Sequence, residues 1–145
     1  MSATAGQAAD GVRSLADRLG IEPGMVVMEM GYDEDVDHDL RDALTDRCGE
    51  LVDEDTDEVV DAVLVWYRDG DGDLFEILVD ALGPLADDGV IWLLTPKAGR
   101  PGHVDPREIS ESVPHAGLQQ TSTVNAGKDW SAARLVVPRS ARAKK

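Results

Sequence analysis

The chain predicts an α/β fold: a small, mostly parallel sheet of about five strands, with helices on both faces and a C-terminal antiparallel strand pair. Three observations predict it. Apolar runs of strand length alternate with helical stripes along most of the 145 residues, the pattern of a sheet whose crossovers are helices. Val59 to Tyr67, V-V-D-A-V-L-V-W-Y, is apolar almost throughout, as a strand buried on both faces must be. Met25 to Met30 reads as a strand that ends on Gly31.

The elements follow in order. Ala8, Val12, Leu15, Ala16 and Leu19 mark a helix over residues 7–19, stopped by Gly20. After the first strand, Val36, Leu40, Ala43, Leu44 and Cys48 form one face of a helix closing at Gly49, with Asp35 as its N-cap. Leu51 to Glu58 is an acidic connector. Arg68 to Asp73 is the loop after the second strand, and Asp73 with Glu76 forms a capping box for a helix over 74–86. Asp87-Asp-Gly89 ends that helix. Val90 to Leu94 is a third buried strand and Thr95 to Val104 a loop. Pro106 opens a helix running to about Val113. Gln119–Val124 and Ala133–Val137 are the antiparallel pair, joined through Asn125 to Ser131. Residues 1–138 form one domain, and 139–145 are a disordered basic tail.

Charge separates along the chain. The net charge is −15. Asp33 to Asp88 holds 21 acids against Arg41, Arg47 and Arg68, whereas from Lys97 onward there are nine bases and four acids. The acidic body disfavours DNA, RNA and anionic membranes, and the four bases of the tail supply few phosphate contacts. No apolar run approaches a membrane span, and Met1 to Asp10 lacks the features of a signal peptide. Cys48 is the one cysteine, which excludes a disulfide framework or thiolate cluster. A cytoplasmic location follows.

In order and spacing, Val59 to Tyr67, Leu82-Gly-Pro-Leu-Ala-Asp-Asp-Gly89, Val90-Ile-Trp-Leu-Leu-Thr-Pro96 and Gly117 to Val137 resemble the second half of the class I methyltransferase fold, a Rossmann-like architecture. Met28-Glu-Met-Gly31 resembles the start of its first glycine motif. Two departures stand out. The family's further glycines are replaced by Tyr32, Asp33, Glu34 and Asp35, and carboxylates there would repel a phosphate. Only 27 residues, Tyr32 to Glu58, precede the next buried strand. The usual second and third strands then have no room, nor does the ribose-binding acid at the end of the second. The resemblance therefore implies a reduced scaffold that does not bind S-adenosylmethionine in the usual manner, and no cofactor is expected. At closer range, the chain resembles a family of small acidic actinobacterial proteins of unknown function. The segments that carry this are Gly24-Met-Val-Val27, Gly31-Tyr-Asp-Glu-Asp-Val-Asp37, Pro84 to Trp92, Leu94 to His103 and Asp129-Trp-Ser131.

In an open parallel sheet, ligands bind beyond the carboxyl ends of the strands. The cleft candidates are accordingly Gly31, Tyr32, Asp33 and Asp35 from the first loop. Arg68 and Asp69 come from the second, and Thr95, Lys97, Arg100 and His103 from the third. They would suit a small charged ligand; in the plainer alternative, Lys97 and Arg100 pair with the neighbouring acids. Asp69-Gly-Asp-Gly-Asp73 has the alternating acids of an EF-hand loop, but Leu74 stands where that loop needs glycine. His38, His103 and His115 share no metal-ligand spacing. Trp66 and Trp92 belong to the core, and Trp130 lies in the hairpin connection. No nucleophile elbow, P-loop or Cys-x-x-Cys is present. Function is read as non-catalytic binding or regulation through an acidic surface facing a basic protein. Asp37, Asp39, Asp42, Asp46, Asp53, Glu54 and Asp55 are the surface candidates. The alternative is a methyltransferase-like enzyme or small-molecule binder with a rebuilt cleft.

Overall fold

The computed structural model describes residues 19–48, 50–54, 56–126 and 129–138. Its elements are β1 (Val26–Met30), α1 (His38–Arg47), β2 (Glu50–Val52), β3 (Val60–Trp66), α2 (Leu74–Leu82), β4 (Leu85–Pro96), α3 (Pro106–His115), β5 (Gln119–Asn125) and β6 (Trp130–Val136). The six strands form one mixed sheet in the order β2-β1-β3-β4-β6-β5. The pairs β2/β1, β1/β3 and β3/β4 are parallel, and β4/β6 and β6/β5 antiparallel. From β1 the chain moves outward to β2 on one side, then returns to β3 on the other. That reversal puts a crevice beyond the carboxyl ends of β1 and β3.

The central strand explains the layering. Ala62, Leu64 and Trp66 of β3 point to the face covered by α1 through Leu40, Ala43 and Leu44. Val63, Val65 and the following Tyr67 point to the opposite face, covered by Leu74, Leu78 and Ala81 of α2 and Val113 of α3. Both cores are aliphatic and aromatic, and each buried Leu or Val contributes about 1.5–3 kcal/mol. α1 forms because its apolar residues recur at helical spacing and Asp37 caps it. The Asp37 carboxylate accepts from Leu40 N at 2.9 Å. No helix of the described residues is long and apolar enough to cross a membrane.

The structure corrects several expectations. The sheet is mixed and has six strands, because part of the acidic connector is itself a strand. Glu50–Val52 pairs with β1, so a second strand does fit between Gly31 and Val60; it needs only three residues. The cap of α1 is Asp37, not Asp35, because Asp35 turns away to Arg68. α2 stops at Leu82, and β4 begins before Asp87-Asp-Gly89. Those turn residues loop out of the strand instead of ending the helix: Val60 pairs with Leu85, and Ala62 with Val90. Trp130 opens β6 and is buried, so it is not in the connection. The expected helix over 7–19 lies, apart from Leu19, outside the described residues, as do Gly49 and the tail.

Candidate functional site

Three loops meet beyond the strand ends. Residues 31–37 follow β1, 67–73 follow β3 and 97–105 follow β4. The second and third are joined by Asp69 N, which donates to Gly102 O at 2.8 Å. Gly31 has φ +78°, and a Cβ there would lie 2.3 Å from Trp66 O. Only glycine lets the end of β1 approach β3 so closely.

Arg68 occupies the crevice so formed. Its Nη1 donates to Gly31 O (2.9 Å), Trp66 O (3.2 Å) and Asp71 Oδ2 (3.2 Å). Its Nε and Nη2 grip the two carboxylate oxygens of Asp35 at 2.9 and 2.5 Å. The guanidinium carbon lies 5.3 Å from the ring centre of Trp130, whose indole N–H donates to Asp35 O at 3.1 Å. Trp130 in turn meets Trp66 edge-on, with ring centres 4.9 Å apart. The hydrogen bond from Arg68 holds the Asp35 carboxyl below its ordinary range, and the same bond raises Arg68 above its own.

A second network lies beneath. Glu29, in the middle of β1, is only 7% exposed. It accepts from Arg41 Nε (2.7 Å) and Nη2 (2.9 Å) of α1 and from the Trp66 indole (2.9 Å). Arg41 also lies 4.5 Å from the Tyr32 ring centre. The loop that stands where glycines were expected is thus anchored twice, through Tyr32 on Arg41 and through Asp35 on Arg68. Among the described residues, no buried side-chain nitrogen or oxygen lacks a hydrogen-bond partner. Sequence reasoning singled out neither Glu29 nor Arg41. The available signal was an acid inside the apolar strand V-V-M-E-M, since a buried charge requires a partner.

Three cavities flank these residues. One of about 280 Å³ is lined by Gly31, Tyr32, Asp33, Glu54, Arg68 and Asp71 over a floor of Met30, Val65 and Ile77. A second of about 270 Å³ is bounded by Asp35, Pro96, Arg100, Pro101, Asp129 and Trp130. Arg68 lines the first and Asp35 the second, so the Asp35–Arg68 pair stands between them. The third, about 280 Å³, lies between β4, β5 and α3 and holds Thr95, Lys97 and His103. Each falls just short of the ~300 Å³ at which small-molecule pockets begin.

The cleft candidates therefore divide. Gly31, Tyr32, Asp33 and Arg68 share one cavity; Asp35 and Arg100 share the next; Thr95, Lys97 and His103 share the third. Asp69 lines none of the three. Arg100 pairs with Asp129 (3.1 Å) across the second cavity. His103 Nδ1 lies 2.9 Å from Pro96 O. Of the surface candidates, Asp39, Asp42 and Asp46 are exposed along α1, and Asp53 is exposed after β2. Asp37 is the half-buried cap, and Asp55 lies outside the described residues. Glu54 belongs with the crevice, since its Oε2 accepts from Gly31 N at 3.2 Å. In the 69–73 loop, Asp71 holds Arg68 and Asp73 caps α2 through Phe75 N. Among the described residues, no three of His, Cys, Asp and Glu converge on a possible metal position.

Comparison with known proteins gives a family and a fold. The family described as "Protein of unknown function (DUF3052)" matches residues 16–139. An uncharacterized protein of Mycobacterium tuberculosis is 59% identical over 134 residues, covering 92% of this chain and 84% of the relative. Among solved structures, an S-adenosylmethionine-dependent methyltransferase from Aquifex aeolicus superposes with a TM-score of 0.60 at 14% identity. The match covers 88% of this chain and 89% of that one. The mitomycin 7-O-methyltransferase MmcR gives a TM-score of 0.58 at 12% identity over 90% of this chain, which spans 53% of its length. At such identities the likeness is one of fold.

Proposed function

From the premise that this chain belongs to the DUF3052 family, we propose that it is a non-catalytic binding or regulatory protein built on a methyltransferase-like scaffold. It works through its acidic surface towards a basic protein. The observation that carries this is the Asp35–Arg68 pair: it divides the crevice where such a sheet would bind a ligand into two cavities, each below the usual size of a ligand site. The distribution of charge supports it. The three bases of the acidic segment are directed inward, Arg41 to Glu29, Arg68 to Asp35, and Arg47 to Ile21 O at 3.2 Å. Asp39, Asp42 and Asp46 are left on the outer face of α1, with Asp33 and Glu34 on the adjoining loop. Such a field accelerates encounter with a basic partner and fixes its orientation. A cytoplasmic location belongs to the same reading.

The test compares capture of basic proteins by wild type with capture by two triple variants. These are Asp33→Asn/Asp35→Asn/Asp37→Asn and Asp39→Asn/Asp42→Asn/Asp46→Asn. Asparagine at position 37 preserves the cap of α1, and a urea midpoint checks that the variant without the Asp35–Arg68 pair remains folded. Capture by wild type that is lost in both variants and falls with rising salt supports the proposal. Equal capture by all three proteins contradicts it.

One observation favours a second reading, a small-molecule or S-adenosylmethionine site with a rebuilt cleft. β2 exists, and Glu54 follows its end by two residues, in contact with Gly31 N. That is the place at which the class I scaffold was expected to lack its ribose-binding acid. Calorimetry with S-adenosylmethionine and S-adenosylhomocysteine separates the two.

A further inference from the structure

We propose that the Asp35–Arg68 pair is a displaceable latch, and that Arg68 is the docking group for a small carboxylate ligand that binds by taking the place of Asp35. The two halves of the latch differ. The Arg68 side chain is 13% exposed, whereas that of Asp35 is 56% exposed. Arg68 is held from behind by Gly31 O, Trp66 O and Asp71, with Trp130 near its face. None of these contacts depends on the Asp35 carboxylate. The arginine stays oriented when that carboxylate leaves, and only the exposed Asp35 side chain has to swing out, since Trp130 holds the Asp35 carbonyl and Val36 is anchored in the core.

The chemistry sets the ligand class. Opening the latch strips Nε and Nη2 of their acceptors in a partly buried place, which is costly unless another acceptor takes over. The parallel donor fork suits a planar carboxylate bidentately. A carboxylate replaces Asp35 charge for charge. A phosphate would add further negative charge beside Asp33, Glu54, Asp71 and Asp129, which line the flanking cavities. Space supports the same conclusion. The latch divides cavities of about 280 and 270 Å³, and moving Asp35 outward joins them into a cleft within the ~300–1,000 Å³ range of ligand sites. Trp130, Pro96 and Pro101 give that cleft an apolar wall for the body of the ligand.

The latch does not rest on the partner reading, and salt-dependent capture tests that reading separately.

The experiment uses the full chain, with benzoate as probe, benzamide as its uncharged counterpart and inorganic phosphate as the competing anion. Binding is followed through the NMR resonances of Arg68 Nε–H and the Trp130 indole. A tethered carboxylate competes at an effective concentration in the millimolar range. Asp35→Ala is therefore expected to bind benzoate at least ~10-fold more tightly than wild type, with phosphate weaker and benzamide silent. Asp35→Ala/Arg68→Lys, which keeps the charge but loses the fork, is expected to lose binding. Equal affinity in wild type and Asp35→Ala, equal response to benzamide, or unchanged binding in the double variant each overturns the proposal. If Asp35→Ala does not fold, wild type decides: both resonances move under benzoate up to ~100 mM, or the latch does not open and the proposal fails.

Discussion

Gly31 is fixed by the backbone of β3 rather than by any ligand. Its φ is positive, and Trp66 O stands where a Cβ would be. Gly31→Ala should therefore destabilise the fold by about 2 kcal/mol or more, read as a lower urea midpoint. Glu29→Ala leaves Arg41 and the Trp66 indole without their acceptor and should cost about 3 kcal/mol. Asp39→Asn, on the exposed side of α1, should change stability by no more than ~0.5 kcal/mol in the same assay. Asp35 adds a pH dependence. Its folded pKa is depressed from an ordinary value of 3.8, mainly by the hydrogen bond to Arg68. The stabilisation it supplies is present above pH 3.8 and lost as the pH falls through the lower folded value. The stability difference between wild type and Asp35→Asn should accordingly shrink below about pH 4 and stay constant from pH 5 to 7. Gly31 and Arg68 were legible as individual residues, because a glycine after a strand and a base after the next strand have positional meaning. The Glu29–Arg41 pair was not, since it joins a strand to a helix across 12 residues, and nothing in the sequence singles out Glu29 among the six acids of that stretch as the partner of Arg41.

At the level of elements, the sequence was read well where a pattern had room to repeat. β3, α2, α3 and the β5/β6 pair stand close to their expected places. β2 was missed because three residues cannot display a period. The Asp87–Gly89 signal reads as the stop of a helix over 74–86, but pairing of Leu85 with Val60 and of Val90 with Ala62 absorbs it as an irregularity inside β4. The sequence points to Asp35 as the cap of α1, and the geometry corrects it: Asp37 reaches Leu40 N while Asp35 is drawn to Arg68. Asp37→Ala should cost about 1 kcal/mol and fray the first turn of α1, seen as faster amide exchange at Leu40. The edge strands β2 and β5 should exchange their amides ahead of β1 and β3, which lie inside the sheet.

For the molecule as a whole, the order of elements was enough to indicate a methyltransferase-like fold, and the solved structures share it, although the sheet is mixed and keeps the second strand that the sequence reading left out. What the order could not show is how the crevice ends. A glycine strand end followed by acids is compatible with an altered ligand loop or with a closed one. The choice depends on tertiary contacts from Arg68, Arg41 and Trp130, which arrive from three other elements. They set the Asp35–Arg68 pair between two small cavities and leave Asp33, Glu34, Asp39, Asp42 and Asp46 exposed. The decisive measurement is calorimetric titration of the folded chain with S-adenosylhomocysteine. A crevice divided by Asp35 and Arg68 should give no saturable heat up to about 1 mM, a concentration at which association is worth only ~4 kcal/mol. Saturable binding in the micromolar range, weakened by Glu54→Gln, would show that the crevice still serves a cofactor and that the proposed non-catalytic role is wrong.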